Sequence, residues 1–174
     1  MKKFYLLMAL LITSTFCCAQ INRVFWGVTL GQSTKQQVKN VLDRKGYTVK
    51  TEPDGSLCVN VNNVSFGGAY WTYVSFSFVD DKLYQVWFQN NEVQSPVKID
   101  NTYIKIKASL DKKYASFINR VQPAEGTEKV SDYTDTKTYI SLRLNTYHNI
   151  RYISLSYEDL NSYDSKIKNE NDEL

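Results

Sequence analysis

The stretch TYVSFSF at residues 72–78 returns as TYISLRL at residues 138–144, sixty-six positions later. Both copies alternate apolar and polar side chains, the period of a strand with one buried face. Similarity at a fixed internal offset constrains a fold more strongly than local propensity does, so the repeat is the first thing to extend. Two further landmarks follow in the same order: Leu42-Asp43 answers Leu110-Asp111 at an offset of 68, and Val86 and Phe88 answer Ile153 and Leu155 at 67. The pattern predicts an α+β fold. It is a tandem duplication of a helix plus antiparallel β-meander unit, giving one curved antiparallel sheet with helices on one face. The units span about 30–90 and 97–158 of a single domain, 20–158, and a short C-terminal helix and polar tail occupy 159–174.

Local signals supply the elements. Ser33 and Gln36 form a capping-box pair, Val38, Val41 and Leu42 an apolar stripe, and Gly46 a natural stop, which predicts a helix over 34–45. The turns Pro53-Asp54-Gly55, Gly67-Gly68 and Asp80-Asp81 bound strands at 57–66, 70–79 and 83–89, the first with an irregularity at Asn62-Asn63. A second helix is expected from about Asn101 to Phe117 with Asp100 as cap, or with an earlier start through Ser95-Pro96. After a loop through Pro123 and Gly126, strands are expected at 136–145 and 149–157, and Leu160 and Tyr163 open the last helix.

Strand parity sorts the side chains. Val74, Phe76 and Phe78 travel with Ile140, Leu142 and Leu144, and with Val86, Phe88, Ile153 and Leu155, to form the core face. The opposite face carries Tyr73, Ser75, Ser77, Gln85, Trp87 and Gln89 from the first unit. From the second it carries Tyr139, Ser141, Arg143, Tyr152, Ser154 and Ser156. Aromatic rings that lose few rotamers, set among small hydroxyls, suit a protein-binding surface. Tyr73, Ser75, Gln85, Trp87, Tyr139, Ser141, Arg143 and Tyr152 are therefore the candidate binding residues.

The N-terminus reads as an export signal. Lys2-Lys3 precede a short apolar run, and Cys17-Cys18-Ala19 offers small residues for cleavage after Ala19, so residues 1–19 are expected to be a signal peptide. The expected location is periplasmic, cell-surface or secreted, in a bacterium. Cys18 is a lipidation candidate, although Phe16-Cys17 before it is a poor lead-in. Removing the two leader lysines from 21 basic residues leaves 19 against 18 acidic, a net charge of +1. That balance argues against nucleic acid as a partner, and no further apolar segment is long enough to span a membrane. Cys58 alone survives cleavage, so no internal disulfide forms and the core must hold the fold.

Catalytic signatures are weak. His148, the single histidine, falls in an expected hairpin turn while Cys58 falls on a strand, and nothing in their spacing joins them. Zinc needs more Cys and His ligands than the chain has. Gly67-Gly68 lacks the lysine and helix of a phosphate loop, and Asp80-Asp81 reads as a solvated turn. No cofactor, metal site or catalytic residue is expected.

The segment Leu30-Gly31 followed by Thr34-Lys35-Gln36-Gln37-Val38-Lys39-Asn40-Val41-Leu42 resembles the helix start of the small lipoprotein of the outer-membrane β-barrel assembly machine. The tandem plan is similar to that of the secreted β-lactamase-inhibitor protein. That resemblance implies a sheet whose concave side binds a protein. The chain departs from it at Asp43-Arg44-Lys45-Gly46, where the relatives carry glycine and proline, and in lacking the inhibitor's disulfides. The expected function is a non-enzymatic module that binds a protein or peptide of the cell envelope or exterior. Alternatives are an envelope-assembly accessory protein, lipid-anchored or not, and a hydrolase with an unrecognised site.

Overall fold

The computed structural model describes residues 20–90, 95–119, 121–148 and 150–172. The leader and Cys18 lie outside them. The fold is α+β, with antiparallel strands throughout. In chain order the elements are β1 (Val24–Phe25), β2 (Val28–Thr29), α1 (Lys35–Arg44), β3 (Val49–Thr51), β4 (Leu57–Phe66), β5 (Ala69–Val79) and β6 (Lys82–Asn90). Then come α2 (Pro96–Tyr114) with a 3-10 turn at Ala115–Phe117, β7 (Ile118–Asn119), β8 (Thr127–Thr134), β9 (Thr138–Tyr147), β10 (Ile150–Asp159) and α3 (Leu160–Asp172).

β1 and β2 form a separate hairpin, and the other eight strands form one sheet in the order β3-β4-β5-β6-β10-β9-β8-β7. Two four-strand meanders thus meet at their last strands, with Leu155 paired to Phe88 and Ser156 to Trp87. The expected irregularity in β4 is present as a register shift between Asn60 and Val64.

The apolar face is the expected one. Val59, Val74, Phe88, Leu155 and Leu142 form a row of paired neighbours, and all are buried. Val38 and Leu42 from α1, and Ile99, Tyr103, Ile106 and Leu110 from α2, join the same cluster. Each such side chain contributes roughly 1.5–3 kcal/mol when fully buried. Aromatic rings fill the centre: Phe88 stacks on Phe66 at 4.6 Å and meets Phe25, Trp26 and Trp71 within 6.3 Å. To bring its ring there, Trp26 takes a left-handed backbone, φ 52°, in the turn of the β1–β2 hairpin, a costly conformation for a bulky residue.

α1 is capped one residue later than expected. Thr34 and Gln37 make the reciprocal box, because the Ser33 hydroxyl accepts from the Thr29 amide (2.9 Å) and its carbonyl from the Leu83 amide (2.8 Å). The helix ends as expected: Gly46 has φ 77°, and the Tyr47 and Gly46 amides close onto Leu42 and Asp43. α2 starts at Pro96 with Ser95 as cap, so Asp100 is not the cap; it lies in the second turn and pairs with Lys129 and Arg151. Proline at the first helical position explains the earlier start.

β8 was not expected from the sequence. Its helix-facing residues Lys129, Ser131 and Tyr133 are polar or carry a hydroxyl, which hides the strand period. Each has a partner on α2: Asp100, Tyr103 and Asp111 respectively. Among its described side chains, residues 160–166, α3 contributes none to the apolar cluster. It packs against β5, β6 and β10, where Lys166 donates to the Tyr84 hydroxyl at 3.3 Å. Among the described residues no helix is long and apolar enough to cross a membrane.

Candidate functional site

The sheet's second face is laid out in polar rows that cross the strands. The middle row runs Cys58, Ser75, Trp87, Ser156, Ser141, Asp132 from β4 to β8, each paired with the next. One pleat away lies Tyr73, Gln89, Ser154, Arg143, and on the other side Ser77, Gln85, Glu158, Tyr139. These rows follow directly from strand parity.

A groove of ≈ 300 Å³ runs along β10 where these rows cross the junction of the two meanders. Its floor is small: Ser154 and Ser156 are 6% and 7% exposed. Trp87 on β6 and Arg143 on β9 flank the floor, with Tyr152 toward one end and Glu158 toward the other. Trp87, Arg143, Tyr152 and Glu158 are all half-buried.

Five of the eight expected binding residues border this groove: Gln85, Trp87, Ser141, Arg143 and Tyr152. Tyr73, Ser75 and Tyr139 do not; they act behind it. The Tyr73 ring meets Trp87 edge-on at 5.8 Å, and its hydroxyl donates to Cys58 Sγ at 2.7 Å. Burial, then the bond to Cys58, raises the Tyr73 pKa. Ser75 Oγ receives the Cys58 thiol at 3.7 Å. Tyr139 donates to the buried Asp132 carboxylate at 2.6 Å, and burial followed by that bond pushes its pKa up to about 12.

Arg143 donates through Nε to Ser141 Oγ at 2.9 Å, and its guanidinium lies near the Tyr139 hydroxyl. No carboxylate lies within ion-pair distance of it among the described residues. Glu158 instead accepts from Gln85 Nε2 at 2.9 Å.

Glu158 and Asn145 border the groove and were missed as site residues. Both were reachable by parity, Asn145 as the next outward position after Arg143 and Glu158 as the next after Ser156. The expected strand stopped at Tyr157, whereas β10 continues to Asp159.

Elsewhere the chemistry is sparse. Cys58 is level with Ser156, while His148 sits exposed in the β9–β10 turn, eight residues back along β10's hairpin. Among the described residues no group of three or more His, Cys, Asp or Glu is arranged to hold a metal. A larger hollow of ≈ 460 Å³ borders Arg23, Lys137 and Asp159 where α3 begins. Its carboxylate is committed to Arg23 and to the Ser162 amide and hydroxyl.

No protein-family model matches the chain, and no curated protein matches it. Among solved structures it is similar to YjgB, a DUF4309 family protein of Bacillus subtilis. The two are 14% identical over 81% of this chain and 88% of that one, with a TM-score of 0.38.

Proposed function

We propose that this chain is an exported, non-enzymatic binding module of a bacterial envelope or exterior, which holds a protein or peptide on the polar face of its sheet. The groove along β10 is the observation that carries the reading. It combines a half-buried Trp87 and Tyr152 with hydroxyl groups on a rigid central strand, and aromatic anchors in a concave polar frame are what interfaces use. The export assignment rests on the leader at residues 1–19, with cleavage after Ala19 and no lipid on Cys18.

The tandem origin of the domain belongs to the same reading. The strand order reads inward from either edge as the same four-strand meander. His148 stands 68 residues after Asp80, and both take left-handed backbones, φ 47° and 49°, at the first position of a two-residue hairpin turn. An axis between the meanders requires equivalent residues to pair, and Phe88 pairs with Leu155. The literal repeat at 66 is two residues out of step with the turns. A slip of two preserves parity, so the same faces stay inward and outward.

The test is retention. Immobilised protein comprising residues 20–174 is passed over a solubilised envelope extract, and bound proteins are eluted and identified. A specific partner is expected, and Trp87→Ala combined with Tyr152→Ala is expected to abolish its retention. Undiminished retention by the double variant overturns the assignment of the face.

A further inference from the structure

Resting on that reading, we propose that the groove recognises a carboxylate on an extended segment of a protein partner, with Arg143 as the specificity-determining residue. The argument begins with unspent donors. Arg143 presents five N–H groups; its observed hydrogen bond is to the neutral Ser141. The hydroxyl of Ser156, on the floor and 7% exposed, has no hydrogen-bond partner among the described residues. Nor do the Trp87 indole N–H and the Tyr152 hydroxyl. A half-buried groove that holds this many donors is complementary to a ligand rich in acceptors.

Charge narrows the ligand further. Asp132, paired in register with the Ser141 that holds Arg143, accepts from Tyr139 and is itself 1% exposed. Asp132 therefore fixes Tyr139, and Ser141 fixes the guanidinium, with no carboxylate in ion-pair contact among the described residues. A guanidinium held in place from behind favours a planar, bidentate anion over a single neutral acceptor. A carboxylate fits that requirement.

Glu158 sets the polarity. It pairs with Tyr139 and Arg143 pairs with Ser154, so their backbone positions are four residues apart along β10, about 13 Å at strand rise, and Glu158 is not within ion-pair distance of Arg143. A segment lying in the groove presents its acidic side chain to Arg143 and keeps acidic side chains away from Glu158. The exposed backbone of an extended chain supplies further carbonyl acceptors for Ser156, Trp87 and Tyr152.

A displayed library of random linear dodecapeptides, panned on the immobilised protein, tests this. Selected peptides are expected to carry an Asp or Glu, and replacing it by Asn or Gln should weaken binding tenfold or more. Arg143→Gln should weaken it to the same degree while Arg143→Lys retains part of it, with unfolding curves of both variants close to the parent. Peptides that need Trp87 but bind Arg143→Gln unchanged, or that show no acidic requirement, overturn the carboxylate inference and leave the binding face standing. A selection yielding no peptide dependent on Trp87 overturns both.

Discussion

The Arg23 guanidinium meets the Asp159 carboxylate directly beneath Gly31, and a Cβ at that glycine would stand 2.7 Å from Arg23 Nη2 and 2.8 Å from Asp159 Oδ1. Asp159 also receives the Ser162 amide and hydroxyl, so one buried carboxylate starts α3 and ties the N-terminal segment to β10. The Gly31 amide in turn donates to the Leu83 carbonyl at 2.7 Å, which fixes the glycine over the pair.

Gly31→Ala is therefore expected to destabilise the fold by about 2–4 kcal/mol, combining a left-handed backbone, φ 73°, with overpacking. Gly46→Ala provides the comparison. Its φ of 77° is similar but nothing lies within 4 Å of the added carbon, so about 1–2 kcal/mol is expected. Urea unfolding of both variants checks the difference, and equal losses would mean that the Arg23–Asp159 pair yields freely.

Acid should release the same tie. Burial alone raises the Asp159 pKa, but the Ser162 donors and Arg23 outweigh it and hold the carboxyl below its ordinary value. Arg151 holds Asp100 and Glu128 down in the same way. A carboxylate whose folded pKa is depressed stabilises the fold fully above its unfolded pKa, about 4, and loses that contribution as pH falls through the lower folded value. The urea midpoint is expected to be insensitive to these groups between about pH 5 and 7 and to fall below about pH 4. Asp159→Asn should start lower at pH 7 and fall less steeply. A parallel fall in the variant would remove Asp159 from the cause.

The outward face was legible from the sequence because alternation alone assigns Trp87, Arg143 and Tyr152 to one side. The groove in that face was not. It depends on small Ser154 and Ser156 being flanked across strands, and alternation within one strand does not say which strands lie beside it or in what register. β8 was hidden for another reason: Lys129 and Ser131 face a helix, and their ordinary polarity conceals partners that only α2 supplies. The capping error has the same origin. Ser33-Gln36 and Thr34-Gln37 are both acceptable boxes locally, and the long-range tie between Ser33 and Leu83 chooses between them.

Phe88 is expected to be the costliest single truncation in the sheet. It lies at the junction of the meanders, opposite Leu155, and four other aromatic rings surround it. Phe88→Ala should cost about 3–5 kcal/mol, within the range for buried aromatic residues. Phe78→Ala, at a partly buried position beside the β5–β6 turn, should cost clearly less. Thermal unfolding orders the two, and a larger loss at Phe78 would contradict a core centred on the junction.

The support behind Arg143 can be tested without any ligand. Asp132 is 1% exposed; one oxygen accepts from Tyr139, and the other, Oδ1, has no hydrogen-bond partner among the described residues. Tyr139→Phe removes the hydroxyl and leaves a buried carboxylate without a donor. A loss of about 1–3 kcal/mol at pH 7 is expected, the cost of an unsatisfied buried polar group. Asp132→Asn in the Tyr139→Phe background should recover part of the loss at pH 7, because an amide needs no counter-charge. Urea unfolding of the parent, the single variant and the double variant at pH 7 decides the matter. A deficit that the amide does not reduce would assign the role of Tyr139 to packing rather than to holding Asp132.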